Sequence, residues 1–386
     1  MKDSWQRMTI GDFLTLEYGK PLDQNKRKND GLYPAYGANG IKCRSDEYLF
    51  DKQTLIVGRK GSAGEITLTE EKFWPLDVTY YIKFDENKYD LIFIYYLLSL
   101  LDLPSLATGV KPGINRNNVY SIETFVPDLE EQKRIVAILD QAFADIDKAR
   151  ALTEQNLKNA RELFESYLQQ AFSLSGDGWL KSTLGEITGG VFTGPFGSLL
   201  HKSDYIENGI PLVNPAHISP TGIEIDYQKT VSKETAEKLS SYKMKTGDIV
   251  IGRRGEMGRC ALVTDIEEGF LCGTGSFFIK SSDQVSGSYL VRYLRSDFCR
   301  TRLEKIAGGA VMPNLSNSDL SDLILNLPPL DEQRKLARKI DNIASQVEDI
   351  QRIYNSKLQF LDDLKRSLLK KAFSGGLTKA GNEEAA

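Results

Sequence analysis

The chain repeats itself, and a repeat constrains a fold more tightly than any composition. Residues 127–173 align without a gap on residues 328–374, and twelve of the 47 pairs are identical. Upstream the spacing drifts. Trp5, Thr9, Gly11 and Pro21 fall on Trp179, Thr183, Gly185 and Pro195 at a shift of 174. VGRKGSAG (57–64) falls on IGRRGEMG (251–258) at 194, and FIYYLLS (93–99) on YLVRYLR (289–295) at 196, before the shift settles at 201. The chain therefore holds two copies of one plan, a variable globe followed by a rigidly spaced helical stretch, and the second globe carries 27 extra residues.

The helical copies read directly. Positions 136, 139, 143, 146, 150, 153, 157, 160, 164, 167 and 171 are apolar at nine of eleven places, and the same positions plus 201 again give nine of eleven. Steps of three and four make an a/d seam, with Leu139, Phe143, Ile146, Leu157 and Phe164 in one copy. Ile340, Val347, Leu358, Leu361 and Leu368 stand in the other, and the polar Arg150 and Gln351 share one layer. Pro127 and Pro328-Pro329 with following acids suit helix starts, and Gly176 and Gly375-Gly376 suit stops. About 43 residues make rods of roughly 65 Å. Equal length and register favour packing within one chain, the alternative being coiled coils between chains. A second, patchy apolar stripe (Ile138, Ala142, Ala149, Leu152; Ile343, Ile350, Leu364) implies a surface for other subunits.

Alternating stretches at 54–58, 66–70, 78–84, 248–252 and 276–280 predict strands, and 88–102 and 287–306 predict helices. Segments 33–46 and 192–220, rich in Gly, Pro, Asn and Ser, read as long structured loops. The expected class is α+β, with two mixed domains alternating with two long helices packed as an antiparallel coiled coil. The expected boundaries are 1–128, 129–175, 176–328 and 329–386.

Catalytic chemistry finds no foothold. The turn GRKGSAGE lacks the Lys-Ser/Thr of a phosphate-binding loop, and NLPPL (326–330) ends in Leu where an amino-methyltransferase loop needs an aromatic residue. Pro127-Asp128 with Glu131-Gln132-Lys133 imitates a nuclease motif, but helix capping explains it better. Two histidines and four scattered cysteines make no triad, zinc site or disulfide framework. The apolar run 91–101 is too short to span a bilayer. An N-terminus without an apolar signal core adds to the expectation of a cytoplasmic, non-membrane chain.

Recognition remains. Basic and polar residues recur beside glycine at matched places: Arg59-Lys60 with Arg253-Arg254, and Lys111, Asn115, Arg116 and Asn117 with Asn314, Ser316 and Asn317. The first globe adds Lys20, Lys26, Arg27 and Asn39. The second adds Phe196, Gly197 and Ser198 of a GPFGS loop, with Asn214, His217 and Ser276. Such side chains on glycine-flanked loops can reach base edges and phosphates.

Two variable domains alternating with PxLxEQ-led helices (Glu131-Gln132; Glu332-Gln333), GDIVIGRRGEMG, the PFGS loop and the AFSGGLT ending resemble the specificity (S) subunit of type I restriction-modification systems. The resemblance covers essentially the whole chain, although GKPLDQNKRK (19–28) departs from it. It implies two target recognition domains, each reading half of an asymmetric split sequence in double-stranded DNA, held apart by the helices as a ruler. It also implies a non-catalytic subunit with no cofactor of its own. Two modification subunits would bring S-adenosylmethionine, and restriction subunits ATP and Mg. A non-DNA coiled-coil scaffold is the competing reading, and a stand-alone nuclease a third.

Charge fits this picture only in part. Basic against acidic residues number 16 to 18 in 1–128, 6 to 8 in 129–175, 16 to 18 in 176–328 and 11 to 9 in 329–386. No region is strongly basic, so phosphate attraction by this chain alone is expected to be modest.

Overall fold

The structure, a computed structural model, describes residues 5–195, 199–307 and 314–377. It divides into two compact units, one taking the chain up to Glu154 together with the part from Asn355 onward, the other Gln155–Tyr354. Each unit joins one globe to half of each long helix, so the division falls within the helices.

In the first unit the main sheet is antiparallel, in the order Leu14–Tyr18, Thr79–Phe84, Leu55–Gly58 and Ile66–Leu68. Alternation decides its faces: Leu14 and Leu16 are buried while Thr15 is exposed. A two-stranded clip, Gln6–Thr9 with Glu123–Val126, leads the chain into the first long helix, Leu129–Ser173. The second unit repeats the order with Val191–Thr193, Ser276–Ile279, Ile249–Gly252 and Cys260–Leu262, and the clip with Leu180–Thr183 and Ile324–Leu327. That clip leads into the second long helix, Leu330–Phe373. The second unit's extra length includes the small hairpin Ile218–Ser219 with Gly222–Ile223 and the helices Lys233–Lys238 and Asp297–Ile306.

Both stretches read as loops contain strands, which corrects that expectation. Tyr33–Gly37 and Gly40–Ser45 form a hairpin, and Tyr33–Gly37 also runs parallel to Trp74–Pro75. Pro34 is tolerated because pairing with Trp74–Pro75 begins only at Ala35. In the second unit Ile210–Val213 lies between Thr230–Val231 and the parallel Leu271–Cys272. The helical stretch 287–306 is two helices, Gly287–Arg295 and Asp297–Ile306, because Ser296 leaves helical geometry and caps the second.

The seam reading holds in the structure: none of its 22 positions is exposed. The two long helices pack together antiparallel. In the first unit Arg150 pairs with Asp362 and Lys365 with Asp147, so numbers rise along one helix as they fall along the other. In the second, the Lys339 ammonium lies over the Tyr167 ring, 5.2 Å from its centroid. Arg150 meets Asp362 across the seam and Glu154 along its own helix at 3.2 Å, which accounts for a charged residue at that seam position; it faces Asp362 rather than Gln351.

Residues of the long helices, several of them in the seam, also belong to the globes. Ile135, Leu139 and Ala372 join the first core with Ile10, Leu16 and Phe93, and Phe143 and Leu368 pack at its margin. Ala337, Ile340 and Phe172 join the second with Phe277 and Tyr293, and Phe164 packs at its margin. Ile146 and Leu361 are buried, and Leu157, Val347 and Leu358 half-buried.

The glutamine of PxLxEQ locks each globe to its helix. Gln132 is fully buried; its amide donates to the carbonyls of Lys88 (3.1 Å) and Pro127 (2.8 Å) and accepts from Asp90 N–H (2.9 Å). Gln333 repeats this with Gln284 (3.1 Å), Pro328 (2.8 Å) and Ser286 N–H (2.8 Å). Asp90 and Ser286 are the N-caps of the matching helices Leu91–Leu100 and Gly287–Arg295. Both glutamines are internal. Glu332 beside them is exposed, and Glu131 half-buried.

Candidate nucleic-acid interface

Each basic turn joins two strands of the main sheet. Gly61 (φ +83°) and Gly64 (φ +87°) match Gly255 (φ +82°) and Gly258 (φ +77°), a left-handed backbone that side chains disfavour. Between them Ala63 and Met257 point into the cores, while Lys60 and Arg254 are exposed. The turn is held from the next residues of the globe. Arg59 N–H donates to the Val78 carbonyl (2.9 Å), and Ile114 N–H to the Arg59 carbonyl (3.0 Å). In the second unit Arg253 N–H donates to Gly275 (3.0 Å) and Leu315 N–H to Arg253 (3.1 Å). Lys60 bridges to Gly113, and Arg254 to Asn314.

A short capped helix completes each cluster. Asn115 accepts Asn117 N–H (2.9 Å) to start Arg116–Tyr120, and Ser316 accepts Asp319 N–H (3.1 Å) to start Asn317–Ser321. The first helical residue then reaches the first strand of its sheet: Arg116 donates to the Leu16 carbonyl (3.4 Å) and Asn317 to that of Val191 (2.9 Å). In this way Arg59, Lys60, Asn115, Arg116 and Asn117 converge, with Lys111 exposed in the connecting loop. Arg253, Arg254, Asn314, Ser316 and Asn317 converge likewise.

The other candidates are more dispersed. Asn39 is exposed at the hairpin tip next to the basic turn, since a Cβ at Gly58 would stand 2.8 Å from the Ala38 carbonyl oxygen. Lys20 is exposed after the first strand, its N–H on the Pro75 carbonyl (2.9 Å). Lys26 and Arg27 are tied down, Lys26 to Glu47 (2.9 Å) and Arg27 to the Leu22 carbonyl (3.0 Å). In the second unit Asn214 sits against the turn at Gly273, where a Cβ would come within 2.3 Å of its Oδ1. The His217 ring is turned inward, 12% exposed, with Nδ1 2.9 Å from the Leu212 carbonyl oxygen. Ser276 is buried in its strand. Neither His217 nor Ser276 is thus presented at the surface as the sequence reading expected. Phe196, Gly197 and Ser198 lie outside the described residues.

The clusters carry cations without carboxylate partners: among the described residues Arg59, Lys60, Lys111, Arg116, Arg253 and Arg254 have no carboxylate ion pair, whereas Lys26, Lys28 and Lys52 each have one. Buried side-chain polar atoms almost always find a partner. Three among the described residues do not, and two of them, Arg59 Nε and Ser276 Oγ, lie at the basic turns.

Sequence reading missed Tyr18. It ends the first strand, is 46% exposed, and carries the guanidiniums of Arg59 and Arg116 over its ring, 5.2 and 5.0 Å from the centroid. By strand pairing the matched residue in the second unit is Thr193, one place beyond the Phe192 that the shift of 174 sets against Tyr18. There the arginines gather on Asn314, whose Oδ1 accepts from the Nε of both Arg253 and Arg254 at 3.2 Å.

Among the described residues no group of three or more His, Cys, Asp and Glu is placed to hold a metal ion, and no helix is long and apolar enough to cross a membrane.

Comparison with known proteins agrees with this architecture. A family model described as the type I restriction modification DNA specificity domain matches twice, at residues 2–156 and 178–356. The type I restriction enzyme EcoDI specificity subunit of Escherichia coli is 24% identical over 97% of this chain and 89% of its own. The MjaVIII specificity subunit of Methanocaldococcus jannaschii is 25% identical over 90% and 87%. Among solved structures, a chain from work on assembly and conformational transition of the type I R-M system overlays with a TM-score of 0.76 at 19% identity, covering 98% of this chain and 99% of that one. The HsdS subunit of Thermoanaerobacter tengcongensis overlays at 0.65, also at 19% identity, over 98% of both. With both of its repeats matched, the chain belongs to the type I restriction-modification DNA specificity family and is a non-catalytic DNA specificity subunit.

Proposed function

We propose that each unit offers its basic turn, return loop and capped helix to one half of a split double-stranded DNA target, with the long helices setting the distance between the halves. The observation that carries this is the repeated cluster. Two globes of different length hold the same backbone bonds around cations that form no carboxylate ion pair among the described residues, and they differ in the side chains those bonds present. Unlike side chains on a common frame suit two unlike half-sites, hence an asymmetric bipartite sequence. The exposed candidates are Lys60, Lys111, Asn115 and Asn117 in one unit and Arg254 in the other, with the half-buried Arg59, Arg116, Arg253, Asn314 and Asn317 beside them.

Modification subunits, and restriction subunits with them, are read as docking on the long helices. Leu152 and Phe360 in the first unit and Leu163 and Ile353 in the second remain more than half exposed there. S-adenosylmethionine, ATP and Mg belong, on this reading, to those partners. The cytoplasm, where DNA and partners are found, is the compartment it requires.

The test is a length change. Adding or removing about two turns' worth of paired residues, one turn in each long helix at matched positions, alters the unspecified spacer in the methylated sequence and leaves both half-sites unchanged. Altered half-sites with an unaltered spacer would refute the ruler.

A further inference from the structure

We infer that Tyr18 is a positioning residue that holds Arg59 and Arg116 so that the first unit reads a guanine in its half-site. The inference rests on the proposal that the basic turn faces DNA, and adds which base is read and how. An exposed arginine ordinarily samples many rotamers and loses that freedom on binding. Here two guanidiniums lie over one exposed aromatic ring, a contact that favours a planar cation over a flexible ammonium.

The ring is itself fixed. Its strand pairs residue for residue with Thr79–Phe84, and the Tyr80 ring lies 5.1 Å away with its hydroxyl donating to the Ile114 carbonyl (3.1 Å). Arg116 is also anchored to the Leu16 carbonyl, which leaves it the more constrained of the two. Arg59 is the reader that remains. Its Nε is buried without a partner, and among the described residues it forms no ion pair. Like charges gathered on one ring and left without a carboxylate favour a ligand rich in acceptors. The major-groove edge of guanine presents two, O6 and N7, at the spacing of an arginine fork. A phosphate would also accept these donors, but it would make no distinction between bases. The second unit is built differently: Thr193 stands at the matched place, Arg253 alone lies over a ring, that of the buried Phe277 (5.8 Å from its centroid), and both arginines are tied to Asn314.

The experiment selects duplexes from a randomised pool with the full chain, alone and with co-expressed modification subunits, for wild type, Tyr18→Leu, Tyr18→Phe and Arg59→Lys. Wild type is expected to require guanine at one position of the half-site read by the first unit. Tyr18→Leu and Arg59→Lys should each lower discrimination at that position by about ten- to hundredfold, the range of a lost bidentate base contact. Every other position should keep its preference, and Tyr18→Phe, which keeps the ring, should restore the wild-type pattern. The unchanged second half-site reports that each variant is folded. A half-site with no guanine, an unchanged preference in Tyr18→Leu, or an equal loss across all sequences would overturn the inference. Wild-type binding indifferent to sequence would instead overturn the proposal beneath it.

Discussion

The two units share a frame and differ in what stands on it. Gln132 and Gln333 make the same three bonds, and the basic turns carry glycines at the same positive angles. Even the link from globe to long helix is conserved in place while its chemistry changes: Asp140 takes the Tyr96 hydroxyl, and the matched Asp341 takes the Arg292 guanidinium. The frame is made of backbone groups and buried amides, which tolerate little change. The outward side chains are free to differ, and they do, with two arginines on an exposed tyrosine in one unit and an asparagine hub in the other. A protein built to read two different sequences with one architecture would divide its residues in this way.

The comparison breaks first at the glutamines. Replacing Gln132 by Leu leaves the Asp90 N–H and two carbonyls without a buried partner, and each such group costs about 1–3 kcal/mol. We therefore expect a loss of about 3 kcal/mol or more in urea unfolding, and the same loss within error for Gln333→Leu. A cheap change at one site and a costly one at the other would mean that the frames are not equivalent.

A smaller effect sharpens the comparison where the caps differ. Ser316 and Asp319 form a capping box, and the hydrogen bonds from Ser316 hold the Asp319 carboxyl below its ordinary pKa. A depressed pKa contributes stability above the unfolded value and loses it as pH falls through the folded one. Asp319→Asn should therefore cost about 1 kcal/mol or less at neutral pH. The gap in Tm between variant and wild type should narrow as pH falls below the ordinary aspartate pKa. The first unit has Asn118 at the matched place, so Asn118→Ala should show no such closing gap.

The long helices were legible because a seam of threes and fours is a local pattern, doubled by the repeat. The main-sheet strands were legible for the same reason, as alternation in TLIVG, VTYYIKF, DIVIG and SFFIK. The smaller sheets were not. Pro34, Gly37 and Gly40 signal turns, yet Tyr33–Gly37 and Gly40–Ser45 pair because the interruptions fall at the hairpin tip and beside an incomplete ladder. Of the site, the basic turns and the asparagines after them were visible as repeated composition. His217 and Ser276 looked available because the sequence does not say which way a side chain turns. Tyr18 was hidden because its partners Arg59 and Arg116 are distant in the chain, and an exposed strand-end tyrosine carries no local mark.

The central claim is that the two basic turns read separate halves of one target. It is tested most directly by mapping methylated sequences in cells whose specificity subunit carries Arg59→Ala with Lys60→Ala, or Arg253→Ala with Arg254→Ala. The account predicts that each pair relaxes or abolishes preference in one half-site, a different half for each pair, with the spacer length unchanged. Relaxation of both halves by either pair, or of neither half by both pairs, would contradict it.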